Sequence, residues 1–305
     1  MRAMKRTTLI FLALIFVQGA IGQQLHMNSQ YTLNQYEINP AVAGSDAGFP
    51  LGFTFKKFWM GIEGSPSIQA LSGHMEVAQH MGVGLKVYNI TSGPLRRTGG
   101  EVTYAYHVPL SGGGHKLAFG LSGLFYSYNL ARDLTLEDPD DEAYLAAGES
   151  MFVPDISFGI YFYADKYYVG LAVPQLLSRK VDLKSDKVLE QQQVRHYFLH
   201  GGYRFKINND FSIEPSTLIK VIETGIFQAD INTRLIYKGM ASFGLSYRTG
   251  DAIVFHVGYK TSDFIIGYAY DITLSDVRTS SSGSHEIMMI YTFPNFLRKT
   301  TTTEE

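Results

Sequence analysis

Apolar and polar side chains alternate along most of this chain, most cleanly near its end. In one run Ile253, Phe255, Val257 and Tyr259 fall on one face, against Ala252, Val254, His256 and Gly258. In the next, Phe264, Ile266, Tyr268 and Tyr270 oppose Ile265, Gly267, Ala269 and Asp271. In the last, Ile287, Met289, Tyr291 and Phe293 oppose Glu286, Met288, Ile290 and Thr292. Successive side chains of a β-strand point to opposite faces, so each run has one greasy, aromatic face and one small or mixed face. Segments of about 10 residues with that alternation are what a β-barrel in lipid requires. The same reading predicts fourteen strands, near 51–61, 66–78, 81–90, 97–109, 115–128, 152–164, 166–174, 194–206, 211–222, 226–237, 240–249, 251–260, 262–271 and 284–293. Fourteen is even, as single-chain bacterial barrels require.

The connections sort by parity. With the first strand entering from the periplasm, the long connections 129–151, 175–193 and 272–283 all face outside. The short ones, such as Gln79-His80, Asp165, Lys238-Gly239 and Thr261, face inside. Outer-membrane barrels have this asymmetry. A secreted β-sandwich also alternates, but nothing in a sandwich sorts loop length by parity.

The start of the chain agrees with that destination. Arg2, Lys5 and Arg6 precede a short apolar stretch, Leu9–Val17, and Ala20-Ile21-Gly22 supplies small residues for cleavage. Residues 1–22 therefore read as a signal peptide and 23–296 as one barrel domain, with 23–50 as an N-terminal segment and 297–305 as a polar periplasmic tail. That N-terminal segment, rich in Asn, Gln and Tyr, is expected to pack in the barrel or bind a partner. No later stretch has 18 consecutive apolar residues, so no membrane helix is expected. The chain has no cysteine, which removes disulfides, thiol catalysis and a lipid-anchored cysteine. A net charge of −2 gives no footprint for nucleic acid. The 20 Tyr, 20 Phe and 30 Gly suit interface girdles and crowded strands facing outer-membrane lipid.

Chemistry is sparse. No G-x-S-x-G elbow, H-E-x-x-H pair or phosphate-binding loop occurs. His196 and His200 share a strand face but lie about 13 Å apart by strand rise, too far for one metal. The acids of 132–149 (Asp133, Glu137, Asp138, Asp140, Asp141, Glu142 and Glu149) do not have calcium-loop spacing and read as a solvated loop. Loop 175–193, with Arg179, Lys180, Lys184, Lys187 and Gln191–Gln193, reads as exposed, as does the Ser-rich stretch Thr279–Ser282. No catalytic, metal or cofactor site is expected. His256, Glu214, Lys220, Arg248, Asp271 and Glu286 are expected to face the lumen, paired with each other or with water. On this basis the open readings are a diffusion porin or small-molecule transporter, a barrel enzyme with its site at one rim, and, more distantly, a soluble β-sandwich adhesin.

A series of short motifs narrows the choice. Gln30-Tyr31-Thr32-Leu33-Asn34, Ile38-Asn39-Pro40-Ala41 and Ala43-Gly44 come first. Trp59, Gly61, Gly64, Ser65 and Pro66 follow, then Pro174-Gln175-Leu176-Leu177, then Glu214-Pro215-Ser216 with Lys220. Gly267-Tyr268-Ala269-Tyr270-Asp271 and Gly283-Ser284-His285-Glu286-Ile287 close the series. Together and in this order they resemble the PorP/SprF family of type IX secretion system membrane proteins. Met60 departs from the polar residue that the family often carries beside its Trp. The resemblance implies an outer-membrane barrel acting in protein export rather than catalysis. Its implied partners are the C-terminal domain of a secreted adhesin and the translocon or periplasmic ring components of the secretion machine. The motif residues it singles out are Asn39, Pro40, Trp59, Gly61, Pro66, Asp271, His285 and Glu286. Two of these have direct physical readings. Asn39 before Pro40 is held out of helical geometry and marks a turn. Asp271 and Glu286, if they meet across the last strands, need a cation or a shared proton.

Overall fold

A computed structural model describes residues 27–111, 114–130, 150–178, 180–182, 190–192 and 194–295. The expected signal peptide 1–22, the acidic stretch 132–149, the tail 297–305 and the centre of 175–193 lie outside the described residues.

Fourteen antiparallel strands form the wall. They are β1 Phe49–Lys57, β2 Ser67–Ala78, β3 Met81–Ser92, β4 Leu95–Pro109, β5 Lys116–Leu130, β6 Ser150–Tyr163, β7 Tyr167–Val173 and β8 His196–Tyr203. Then follow β9 Phe211–Ile222, β10 Phe227–Tyr237, β11 Ala241–Arg248, β12 Ala252–Lys260, β13 Phe264–Thr273 and β14 Ser284–Phe293. Each strand pairs with its neighbours in sequence. The last pairs with the first, from Phe49↔Phe293 to Lys57↔His285, which closes the wall into a barrel.

The predicted strands are all present. The first stops at Lys57 rather than near 61, because Trp59 adopts a left-handed φ of 45° and Gly61 one of 97°, which turn the chain. The eighth breaks at Arg204 before a short continuation, Phe205–Lys206. There the Arg204 guanidinium reaches inward to Glu214 (Nε···Oε2 2.7 Å).

Alternation has the predicted sense. Along β13, Ile266 and Tyr268 are exposed on the outer face while Gly267, Ala269 and Asp271 are buried inside. The connections after even-numbered strands are short and define a short-turn end; those after β5, β7 and β13 are long and mark the long-loop end. Around the short-turn end Tyr106, Tyr203, Phe211, Tyr237, Tyr259 and Tyr291 stand exposed as an aromatic girdle, the arrangement that anchors a barrel at a lipid–water boundary.

β7 is half the length of β6 and leaves the upper part of β6 without a wall partner. Pro174–Leu177 crosses that notch. Leu176 donates its backbone N–H to the Ile156 carbonyl (2.8 Å) and Leu177 donates to Asp155 Oδ1 (2.9 Å), which holds Gln175 inside.

Candidate functional site: a lumen filled by the N-terminal segment

Residues 27–47 do not alternate and join no strand. They descend through the lumen from the long-loop end to the start of β1 at the short-turn end, folding into two single-turn 3₁₀ helices, Gln35–Glu37 and Pro40–Val42. Tyr31, Tyr36, Ile38, Ala41, Val42 and Ala43 are buried. The segment is therefore the core of the barrel, and its polar groups bond to the wall at three levels.

At the long-loop level the backbone N–H groups of Ser29 and Gln30 donate to the two carboxylate oxygens of Glu286 (2.5 and 2.9 Å). The Ser29 hydroxyl donates to Asp271 Oδ2 (2.7 Å). Lys56 Nζ lies 2.9 Å from Asp271 and 3.4 Å from Glu286, and it donates to Ser29 Oγ (2.5 Å). Lys56 and Glu286 are both 0% exposed. Register explains the meeting: Lys56 stands directly opposite Glu286 across the β1–β14 closure. Arg248 completes the group, reaching Asp230 at 3.1 Å, Asp251 at 3.3 Å and Asp271 at 3.4 Å.

At mid-height Glu37 accepts from Asn28 and from Thr54 (2.8 Å), while burial pushes its carboxyl above the usual range. The Tyr36 hydroxyl pairs with Thr103 (2.7 Å), and burial pushes it up to about 12. Lys86 spans the plug and the wall, donating to the Glu37 carbonyl (3.2 Å) and pairing with Glu101 (2.8 Å).

Near the short-turn end Asn39 accepts from the Ala41 N–H (2.9 Å), capping the second turn. Its amide nitrogen donates to the Ile160 carbonyl (3.0 Å) and lies 3.0 Å from His200 Nε2. His107 Nε2 donates to the Ala43 carbonyl (2.8 Å), and the Gly44 N–H donates to His74 Nδ1 (3.1 Å).

Close approach is possible because inward wall positions lack side chains. A Cβ on Gly82 would stand 1.9 Å from the Ala43 carbonyl oxygen, and one on Gly120 2.3 Å from the Ala41 nitrogen. Both contacts are to backbone, so glycine is required at these two positions. Beneath the plug a cavity of about 510 Å³ opens at the short-turn end, lined in part by Asn34, Asp46, His74, Lys260 and Asp263.

The motif residues separate into three places. Asn39 and Pro40 lie in the plug. Asp271 and Glu286 meet it from the wall. Trp59, Gly61 and Pro66 form the β1–β2 hairpin: the Trp59 N–H donates to Ser284 Oγ (3.1 Å) and the Pro66 carbonyl accepts from Phe58 (2.9 Å). His285 instead points outward to the Tyr268 hydroxyl (2.7 Å). Asp271 and Glu286 are diagonal rather than opposed, since Asp271 faces Ser284 and Glu286 faces Ala269. The cation that pair requires is Lys56. Sequence reasoning passed over it, although Gly52, Thr54 and Lys56 fall on one strand face and mark it as lumen-facing. Glu214, Arg248 and His256 face the lumen as expected; Glu214 is held by Arg204 and Arg234, and His256 lies 2.8 Å from Ser246 Oγ. Among the described residues no three His, Asp or Glu are grouped to hold a metal.

The model of the family described as "Type IX secretion system membrane protein PorP/SprF" matches residues 20–291. No curated protein matches the chain. Among solved structures, the toluene transporter TbuX of Ralstonia pickettii is similar at 11% identity and a TM-score of 0.49, over 84% of this chain and 92% of that one. Omp33 of Acinetobacter baumannii is similar at 8% identity and a TM-score of 0.47, over 82% of this chain and all of the other. The closed barrel and a family match over most of its length lead to one assignment: the chain belongs to the PorP/SprF family and is an outer-membrane component of type IX secretion.

Proposed function

We propose that this barrel serves type IX secretion as a docking element rather than a conduit, binding the C-terminal region of a secreted adhesin and components of the secretion machinery. The observation that supports this is the filled lumen. Among the described residues, a segment bonded to the wall at three levels, with two buried carboxylates and Lys56 at its top, occupies the axis that a diffusing solute would follow. The barrel then offers its rims. In this reading the long-loop end faces outside and receives the exported chain, while the cavity at the short-turn end faces the periplasm and receives the machinery.

Tagged protein at native level, solubilised in detergent from outer membranes, is expected to bring down a large secreted protein together with type IX components. A barrel that purifies alone and conducts ions in planar bilayers would favour the diffusion porin instead.

A further inference from the structure

Beneath the long-loop mouth, between the top of the plug and the β2–β5 wall, lies a second cavity of about 120 Å³. One water needs only about 10–15 Å³ of such space, so the cavity has room for a small aliphatic group. Its walls are mainly apolar, with Ile38, Ile68, Leu124 and Phe198 among them. Three polar groups that line it have an atom without a hydrogen-bond partner: Arg97 Nε, Gln175 Nε2 and Asn28 Oδ1. Gln175 is only 4% exposed. A buried donor left unmade costs about 1–3 kcal/mol, so these atoms favour a polar group bound in the cavity.

The charge balance defines that group. The Arg97 guanidinium lies 4.1 Å from the centre of the Tyr126 ring, with the Tyr88 and Tyr128 rings at 5.4 and 5.7 Å. Among the described residues it donates to the Tyr88 hydroxyl (3.3 Å) and pairs with no carboxylate. The other charges facing the cavity are accounted for. Lys86 and Glu101 neutralise each other at 2.8 Å, and the Glu37 carboxyl is held by Asn28, Asn34 and Thr54. Arg97 is left without a carboxylate partner among the described residues, beside the bare donor of Gln175 and the bare acceptor of Asn28.

We propose that this cavity binds a carboxylate carried on a short aliphatic group, the chemistry of the last residue of a polypeptide. The carboxylate is received by Arg97 and Gln175, for which a planar guanidinium fork is well shaped. The aliphatic side chain fills the apolar space, and Asn28 Oδ1 accepts the terminal amide N–H. The site deepens the docking reading and rests on it only for the source of the ligand.

The test is calorimetric titration of the intact barrel in detergent with N-acetyl-Gly-Leu as the free acid, with its amide, and with isocaproate. The free acid is expected to bind at least about tenfold more tightly than the amide, a gap of about 1.4 kcal/mol. Arg97→Gln is expected to remove that preference and Arg97→Lys to keep part of it, because Lys supplies the charge without the fork. Isocaproate binding as tightly as the peptide would assign the site to small free carboxylates; much weaker binding would assign it to a chain terminus. Equal binding of acid and amide by the unaltered barrel, or none at millimolar concentration, would overturn the site, whether or not the variants fold. Recovery of a secreted client from membranes alongside that negative result would leave the docking reading standing without this site.

Discussion

Replacing Lys56 with Met is expected to destabilise the barrel by about 3–5 kcal/mol, the usual cost of removing one partner from a buried ion pair. Lys56 is fully buried between Asp271 and Glu286. Asp271 would keep Arg248 at 3.4 Å. Glu286 would be left with the two N–H donors of Ser29 and Gln30 and the longer Gln30 amide contact (3.3 Å), with no cation within ion-pair distance among the described residues. Removing the stranded charge as well, in Lys56→Met with Glu286→Gln, is expected to return about half of the loss or more. Urea unfolding in detergent micelles measures both. A single variant within about 1 kcal/mol of the unaltered protein would show that the triad does not hold the plug.

Adding one methyl group at Gly120 is expected to be nearly as damaging. Its Cβ would meet Ala41 N at 2.3 Å, Pro40 C at 2.4 Å and Ala41 Cα at 2.5 Å, all backbone atoms of a capped turn. Overpacking a filled core costs about 1–3 kcal/mol, and here no rotamer change can relieve the clash. Gly120→Ala should therefore lift the lower half of the plug and expose Glu37 to a Glu-specific protease that leaves the unaltered barrel intact. Gly123→Ala is the control, because its Cβ would meet only the Phe125 ring, at 3.5 Å. Equal resistance of the two variants to cleavage would mean the plug does not depend on that close approach.

These residues also show what the sequence could and could not reveal. Strand number and facing were legible because lipid on one side and a polar plug on the other force alternation at every inward and outward position. The boundary error at the first strand came from Trp59, since a left-handed bulky residue has no local pattern signal. Lys56 gave no sequence signal because its carboxylate partners lie 215 residues or more away and are brought to it only when the barrel closes. Gly82 and Gly120 looked like generic strand glycines, and only the path of residues 27–47 gives them a task. Asp271 and Glu286 could be expected to meet across the last two strands only as a like-charge pair in need of a cation or a shared proton. The register that makes them diagonal, and the lysine between them, are properties of the closed wall.

The central claim is that the lumen is sealed while the protein holds its native structure. The most direct test is the conductance of the purified full-length barrel in planar bilayers, compared with a variant lacking residues 27–47. The account predicts a silent intact protein and stable, ohmic openings when the segment is removed. Steady conductance of the intact barrel, matching that of the shortened one, would contradict it and make the protein a pore.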